Sequence, residues 1–181
     1  MDTITSIKER RSIRKYKNET VDRNIINEII EAARFAPSWT NNQVARWTLI
    51  DSTAILQEIA AQAVQGFAHN MDILKGAAGV AVLSFVKGQS GRIDKYNLEN
   101  SNPEKWEVFD AGIACQTFCL AAHAKGVGTC IFGVICEQTI AKIINLPENE
   151  SVAALITYGY EIEHPKAPAR KEASEISRWL Q

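Results

Sequence analysis

The sequence predicts a mixed fold of helices and short strands, an α+β or α/β sandwich, from three observations. The chain has 181 residues, which suits one domain, so we expect residues 1–181 to form a single unit with a sizeable core. Segments with helical and with extended hydrophobic spacing alternate along the chain. No internal repeat or low-complexity stretch interrupts this order.

The spacing of apolar residues places the individual elements. It predicts helices over 3–10, 22–36, 53–66, 103–125, 136–145 and, briefly, near 172–180. Short apolar runs predict strands over 46–51, 79–86, 129–132 and 152–158. Pro37 ends the second helix because proline lacks a backbone donor. The helix over 103–125 is apolar on nearly every side, which indicates a place in the core or at a dimer seam.

The composition excludes several function classes. The formal net charge of −1 predicts no general attraction to nucleic acid or to a membrane surface. No apolar run approaches the roughly 20 residues that a membrane span needs. The N-terminus, with Asp2 and an alternating polar segment, does not look like a signal peptide, so we expect a cytoplasmic protein. The four cysteines have apolar neighbours and are expected to be buried free thiols.

Two basic stretches are candidates for anion binding. The first is the basic segment, residues 10–16, in which arginines and a serine hydroxyl could contact phosphate oxygens. The second, residues 166–171, belongs to the C-terminal tail that begins at residue 161. The ordinary alternatives are a solvated basic turn at the end of a helix and a solvated tail.

Two further segments could contact a planar ring. The polar loop, residues 36–43, is dense in amide and hydroxyl groups that can pair with a heterocycle, and Trp39 could cover an aromatic face. Residues 126–133 form a strand flanked by glycines, which allow backbone N–H groups to approach a ligand. The alternatives are a polar turn with a packed tryptophan, and a helix end followed by a core strand.

A competing interpretation is a zinc site. Cys115, Cys119 and His123 are four residues apart and therefore share one helix face. However, three ligands over two turns of a straight helix span about 12 Å, which is too far for one ion. Core packing explains these residues better, and no metal is expected.

Together these segments resemble the nitroreductase family. The matching pieces are residues 10–16, 36–43, 110–116, 126–133 and 158–160, followed by the basic tail. The set covers almost the whole chain in the right order and is more specific than any one piece. The resemblance implies a three-layer α-β-α sandwich with a mostly antiparallel central sheet. It also implies an intertwined homodimer with a flavin mononucleotide (FMN) at each interface.

The resemblance implies a set of FMN ligands as well. The phosphate and the ribityl or pyrimidine side would contact Arg10, Arg11, Ser12 and Arg14. Arg170, with Lys171, would close on the phosphate, and Asn70 would bind the ring. The flavin of the partner chain would be reached by Pro37, Ser38, Trp39 and Asn41. The side of the ring where hydride arrives would be lined by Cys130, Ile131, Phe132 and Gly133.

The chemistry of flavins is consistent with this assignment. A reduced flavin carries negative charge near N1, so a nearby cation favours it, and Arg14 is the first candidate. A backbone N–H near N5 would orient the ring, and Gly133 is the candidate. The expected activity is a ping-pong transfer from NADH or NADPH, through the flavin, to a nitroaromatic, quinone or similar small acceptor. The alternative is a flavin-binding redox sensor or flavin reservoir with little turnover.

The sequence departs from the family pattern at three places. Val44-Ala45 stand where many members have Pro-Trp. Ile73 and Leu74 follow Asn70 where many members have a basic residue. Phe132 stands where some members have an acid. These changes predict a more apolar substrate pocket.

The segment 87–109 varies most among such proteins, and we expect it to be a lid or a wall of the substrate pocket. Its first part is polar, with two glycines and three asparagines over 87–102. Tyr96 and Trp106 could stack on a substrate, or they could pack within the lid.

Overall fold

An antiparallel sheet of four strands lies at the centre of the computed structural model, which describes residues 2–180. The strands in chain order are β1 (Ala45–Ile50), β2 (Gly79–Val86), β3 (Arg92–Ile93), β4 (Leu98–Glu99), β5 (Gly128–Phe132) and β6 (Glu150–Gly159). The central sheet has the order β1-β2-β6-β5, and each neighbouring pair is antiparallel. β5 is therefore an edge strand. β3 and β4 pair separately as a small hairpin.

Helices cover both faces of this sheet. They are α1 (Thr3–Glu9), α2 (Arg23–Ala33), α3 (Thr53–Gln62), α4 (Ala68–Gly76), α5 (Pro103–Ala124), α6 (Glu137–Ile143) and α7 (Ala173–Ile176). The side chains of β2 alternate between two core clusters, one on each face of the sheet, because successive side chains of a strand point to opposite faces. Val80 and Val82 pack with α3, α4 and α6, whereas Ala81 and Leu83 pack with α2 and α5. The predicted three-layer α-β-α sandwich with an antiparallel sheet is therefore confirmed.

The long helix α5 is central, as its apolar character predicts. It packs on α2 and on the sheet strands β1, β2 and β5. Phe118, which is fully buried, stacks on Trp47 of β1 with ring centroids 4.8 Å apart. Residues 2–180 leave the other side of its first half uncovered, since Val108 and Phe109 are 59% and 57% exposed. One helix thus anchors the core and presents apolar side chains to solvent.

The structure differs from the prediction in several places. Helix α4 was not predicted, because its core-facing residues Met71, Ile73 and Leu74 are too few and too closely spaced to show a helical period. The predicted helix near 172–180 is reduced to α7, since the tail offers no core contact to support a longer helix. The segment 87–102, expected to be part of a lid or pocket wall, holds the β3–β4 hairpin.

The cysteines are free thiols, as expected. Cys115, Cys119 and Cys130 are buried, and Cys136 is half-buried. Among residues 2–180, none of the helices has both the length and the apolar character that crossing a bilayer requires.

Candidate functional site

The basic segment runs beside the edge strand β5. Ser12 forms a parallel bridge with Thr129, and the Ile13 N–H donates to the Thr129 carbonyl at 2.9 Å. Tyr16 forms an antiparallel bridge with Glu161, just beyond β6. The side chains of Ile13 and Tyr16 are buried. The segment is therefore pinned to the sheet through its backbone and its apolar residues, which fixes where its polar side chains begin.

Two glycines allow this close approach. A Cβ on Gly128 would lie 2.6 Å from Ile13 Cγ1, and a Cβ on Gly159 would lie 2.8 Å from Tyr16 Cδ1. The Tyr16 hydroxyl shares a 2.9 Å hydrogen bond with Thr157 Oγ1. Gly128 therefore serves the packing of the basic segment.

Two depressions flank the basic segment, and arginines line both. The first has a volume of about 230 Å³, and its lining includes Arg10, Arg11, His123, Thr129 and Glu161. The second has a volume of about 400 Å³, and its lining includes Arg14, Lys15, Tyr16, His69, Asp72 and Ile73. The segment thus presents positive charge to two depressions, with Arg10 and Arg11 at its start lining the first and Arg14 and Lys15 further along lining the second.

The arginines of the segment differ in how they are used. Arg11 Nη1 donates to the carbonyls of Lys8 and Arg10 at 2.6 and 2.9 Å, so its guanidinium closes the end of α1. Arg14 is exposed, and its Nη1 makes a longer bond of 3.3 Å to the Ser12 carbonyl. Arg10 is half-buried beside the first depression. Arg10 and Arg14 are therefore better placed than Arg11 to bind an anion.

Three other titratable groups near the segment, His123, Cys130 and Tyr16, favour their neutral forms. Burial, with the neighbouring His164, lowers the pKa of His123. Burial raises the pKa of the Cys130 thiol and that of the Tyr16 hydroxyl. Each shift follows from the cost of placing a charge away from water. The arginines and Lys15 are therefore the groups that give this edge of the sheet its positive charge.

The polar loop is held by α5 and carries an unusual backbone. The Trp39 N–H donates to both carboxylate oxygens of Asp110, at 3.0 and 3.1 Å. Thr40 and Asn41 adopt φ values of 45° and 60°, a left-handed conformation that is costly for residues other than glycine. Such strain persists only where surrounding contacts impose it. Pro37 and Ser38 lie at a depression of about 160 Å³ that also borders Asp110.

Asn70 lies on α4, and its side chain is buried. Its neighbours on this helix, His69 and Asp72, line the second depression together with Arg14. Ile73 and Leu74 are core residues, which explains why a basic residue is absent at these positions. The structure thus brings Asn70 to the same region as Arg14, with a backbone that α4 fixes.

The end of β5 presents alternating environments. Cys130 and Phe132 point into the core with α3, α4 and α6, so only their backbone could face a ligand. Ile131 is 46% exposed on the opposite face. A Cβ built on Gly133 meets no atom within 4 Å among the described residues, so its backbone is open to a ligand. Ile131 and Gly133 are therefore the accessible part of the predicted ring-binding strand.

Arg170 and Lys171 lie on the C-terminal tail, and both are exposed. The tail begins near the basic segment, where Glu163 forms an ion pair of 3.0 Å with Lys15. Within residues 2–180, the lining of the two depressions beside the basic segment does not include Arg170 or Lys171. The structure therefore places the predicted ligands of residues 10–14 beside β5 and near the helix that carries Asn70. In the described part of the chain, it does not place Asn70, residues 130–133 or the tail residues in the lining of either depression.

Sequence reasoning did not assign roles to two acidic residues of α5. Glu107 and Asp110 are buried, at 6% and 3% exposure, and face Ser90 and Arg92 of the 87–109 segment. The sequence does contain a signal for them, which is two carboxylates one turn apart in a largely apolar helix. Such carboxylates are rarely buried without partners.

The zinc interpretation finds no support in the geometry. Within the part of the chain that the structure describes, no group of three or more His, Cys, Asp or Glu side chains could hold a metal ion. Cys115 and Cys119 are buried within the core that α5 shares with α2.

Comparisons with known proteins agree on one family. The profile described as the nitroreductase family matches residues 7–160. A relative from Methanothermobacter thermautotrophicus, provisionally named NADH dehydrogenase/NAD(P)H nitroreductase, is 28% identical over 169 residues, which cover 91% of this chain and 80% of the relative.

Solved structures share the fold. A nitroreductase family protein from Clostridium novyi NT has a TM-score of 0.80 and 26% identity, with 93% of this chain and 89% of that chain covered. A protein from Exiguobacterium sibiricum, provisionally named a nitroreductase and solved in complex with FMN, has a TM-score of 0.82 and 22% identity. The match covers 99% of this chain and 98% of that chain.

Proposed function

Since this chain belongs to the nitroreductase family, we propose that it is an FMN-dependent oxidoreductase that takes electrons from NADH or NADPH. The acceptor would be a nitroaromatic, a quinone or a similar small oxidised molecule, reduced by a ping-pong mechanism. The names of relatives support a nicotinamide donor, and the E. sibiricum complex supports FMN. We place the protein in the cytoplasm.

The observation that carries this proposal is the basic segment pinned along the edge of the sheet. Its arginines flank two depressions, and the open backbone of Gly133 lies at the far end of the strand beside it. A phosphate at one end and a planar ring at the other fit such an arrangement. Arginine forks and a serine hydroxyl suit phosphate oxygens, and an exposed glycine allows a ring to lie on the backbone.

Each residue would have a limited task, because FMN when bound supplies the redox chemistry and exchanges hydride at N5. Arg10 and Ser12 would bind the phosphate, and Arg11 would support them from the end of α1. Arg14 would place positive charge near the pyrimidine edge, with Asn70 beside it. Gly133 and Ile131 would orient the ring, with the backbone of Cys130 and Phe132 behind them.

We further propose a homodimer that completes the site. Exposed apolar side chains on α1, α5 and β5 support a large covered surface: Ile4, Ile7, Val108, Phe109 and Ile131. In such a dimer Pro37, Ser38, Trp39 and Asn41 would contact the partner's flavin. Arg170 and Lys171 would reach the phosphate when the tail becomes ordered against the dimer. Residues 1–181 would act as one domain, with 87–109 as the lid or pocket wall.

The test is a half-reaction experiment under anaerobic conditions. Protein loaded with FMN is mixed with NADH or NADPH, and loss of the yellow absorbance reports reduction. Addition of a nitroaromatic or a quinone after removal of the nicotinamide should restore the colour, and steady-state double-reciprocal plots should be parallel. A protein that binds FMN but turns over only sluggishly with every donor and acceptor would instead be a flavin sensor or reservoir.

A further inference from the structure

Two buried carboxylates on α5 have no part in the function proposed above. Glu107 and Asp110 lie one turn apart near the start of the helix and are 6% and 3% exposed. Burying a carboxylate is costly unless hydrogen bonds compensate for lost water. Their partners therefore indicate what these residues do.

Asp110 joins two separate segments of the chain. It accepts the Trp39 N–H on both oxygens, at 3.0 and 3.1 Å, and the Ser90 hydroxyl at 2.5 Å. Trp39 belongs to the polar loop, and Ser90 belongs to the 87–109 segment. Ser90 is completely buried, so its hydroxyl has no competing contact with solvent.

Glu107 holds the same segment one turn earlier. Its Oε1 accepts the Gly88 N–H and lies 3.5 Å from Arg92 Nη1. The Arg92 carbonyl in turn accepts the indole N–H of Trp39 at 3.0 Å. Residues 88–92 and Trp39 are thus tied to each other as well as to α5.

Two further contacts tighten this connection. Asn42 Nδ2 donates to the Gln89 carbonyl at 2.8 Å. The ring of Trp39 packs against that of Trp106 on α5, with centroids 4.6 Å apart. Two left-handed residues of the polar loop, Thr40 and Asn41, therefore lie between Trp39 and Asn42, which these contacts hold in place.

We propose that Asp110, assisted by Glu107, is a positioning residue that clamps residues 88–92 to the polar loop, so that the two move as one unit. This inference rests on the proposed function, in which the loop contacts flavin and the 87–109 segment shapes the acceptor pocket. The clamp sets the acceptor-binding wall relative to the flavin-binding loop from the rigid base of α5. Asp110 touches neither flavin nor acceptor in this role.

The direct test is hydrogen–deuterium exchange in the protein without added flavin. The variants are Asp110→Asn, which presents only one acceptor oxygen, and Ser90→Ala, which removes only a hydroxyl. The matched control is Glu104→Gln, an exposed carboxylate on the same helix. We expect peptides covering 37–43 and 88–93 to exchange together about tenfold faster in Asp110→Asn, less so in Ser90→Ala, and unchanged in Glu104→Gln. Unchanged exchange, or faster exchange in one peptide alone, would overturn the clamp.

A second readout separates positioning from general stability. In the FMN-loaded enzyme, Asp110→Asn should raise the acceptor KM about tenfold while kcat changes less than about twofold, because the wall is displaced but the electron donor is intact. If kcat instead falls about tenfold while the acceptor KM is unchanged, the positioning role is contradicted. If wild-type protein binds no flavin while the exchange result holds, the clamp stands and the proposed function fails, so the two failures are distinguishable.

Discussion

Two basic regions carry predicted phosphate ligands, and they differ in how the chain holds them. The basic segment is bound to β5 and to the end of β6 by backbone bridges and by the buried side chains of Ile13 and Tyr16. The C-terminal tail carries Arg170 and Lys171, and its residues 166–180 are exposed. Both regions carry basic side chains that can bind a phosphate, but only the basic segment is preorganised by the fold.

The difference has an energetic consequence. A cation that is already held in place loses little conformational freedom when an anion binds, whereas a cation on a solvated tail must be ordered first. We therefore expect the basic segment to supply most of the phosphate affinity. The tail should add a smaller contribution that depends on its ordering in the dimer.

The largest effect should come from breaking the attachment of the basic segment. In Gly128→Val, the new side chain would meet Ile13, because even a Cβ would lie 2.6 Å from Ile13 Cγ1. Overpacking of this kind costs about 1–3 kcal/mol of stability. FMN binding should fall below detection, because Arg10, Ser12 and Arg14 would lose their positions together. Thermal unfolding and FMN titration measure both.

A control for the stability measurement is Gly112→Ala, because a Cβ there meets no described atom within 4 Å. This substitution should leave the melting temperature unchanged or raise it, since alanine favours helix. If Gly128→Val binds FMN as wild type does, the attachment of the segment to β5 is not what organises the site.

Removing the cations without disturbing the backbone should rank next. Arg10→Ala with Arg14→Ala should weaken FMN binding by several kcal/mol, because charged hydrogen bonds contribute about 1.5–3 kcal/mol each. Arg11→Ala should cost less, since its guanidinium already bonds to the carbonyls of Lys8 and Arg10. Isothermal titration with FMN compares the variants. A larger loss in Arg11→Ala than in the double variant would reverse our assignment.

The tail should give a smaller effect. Arg170→Ala with Lys171→Ala should weaken FMN binding by about 0.5–1 kcal/mol, in the range of solvent-exposed ion pairs. The same titration, repeated at higher salt, should reduce the difference from wild type because exposed charges are screened. A loss as large as that of the Arg10 and Arg14 variant would show that the tail is as well ordered as the segment.

The smallest expected effect concerns pH and His123, which lines the first depression. Burial lowers the pKa of His123 from 6.5, so the folded protein favours the neutral ring. As pH falls below about 6.5, the unfolded chain binds a proton that the folded chain resists, and stability decreases. Denaturant unfolding between about pH 5 and pH 7.5 should show this slope, and His123→Gln should flatten it. An unchanged slope in the variant would assign the pH dependence to other groups.

The sequence predicts much of the fold because hydrophobic spacing marks the elements that carry the core. The strand over 79–86 and the helix over 103–125 are strongly apolar, and both match the structure within a residue. Helix α4 was missed because its apolar face is short, with Met71, Ile73 and Leu74 within four residues. A local pattern cannot report that Trp39, Ser90 and Asp110 meet, since their hydrogen bonds join positions far apart in the chain.

The candidate site, like the fold, was predictable where its residues are adjacent in sequence and not where they meet through the sheet. The basic segment was predicted from residues that are adjacent in sequence, but its attachment to Thr129 and the alternation that buries Phe132 depend on the sheet. The different tasks of Arg10 and Arg11 were also beyond the sequence. Both are arginines in one motif, and only the end of α1 distinguishes them.

The most direct test of the central claim is a comparison of FMN with riboflavin, which lacks only the phosphate. Fluorescence titration of wild-type protein should show FMN binding at least about 100-fold tighter than riboflavin, and Arg10→Ala with Arg14→Ala should remove most of that preference. Equal affinity of the wild type for the two flavins, or an unchanged preference in the double variant, would contradict the account.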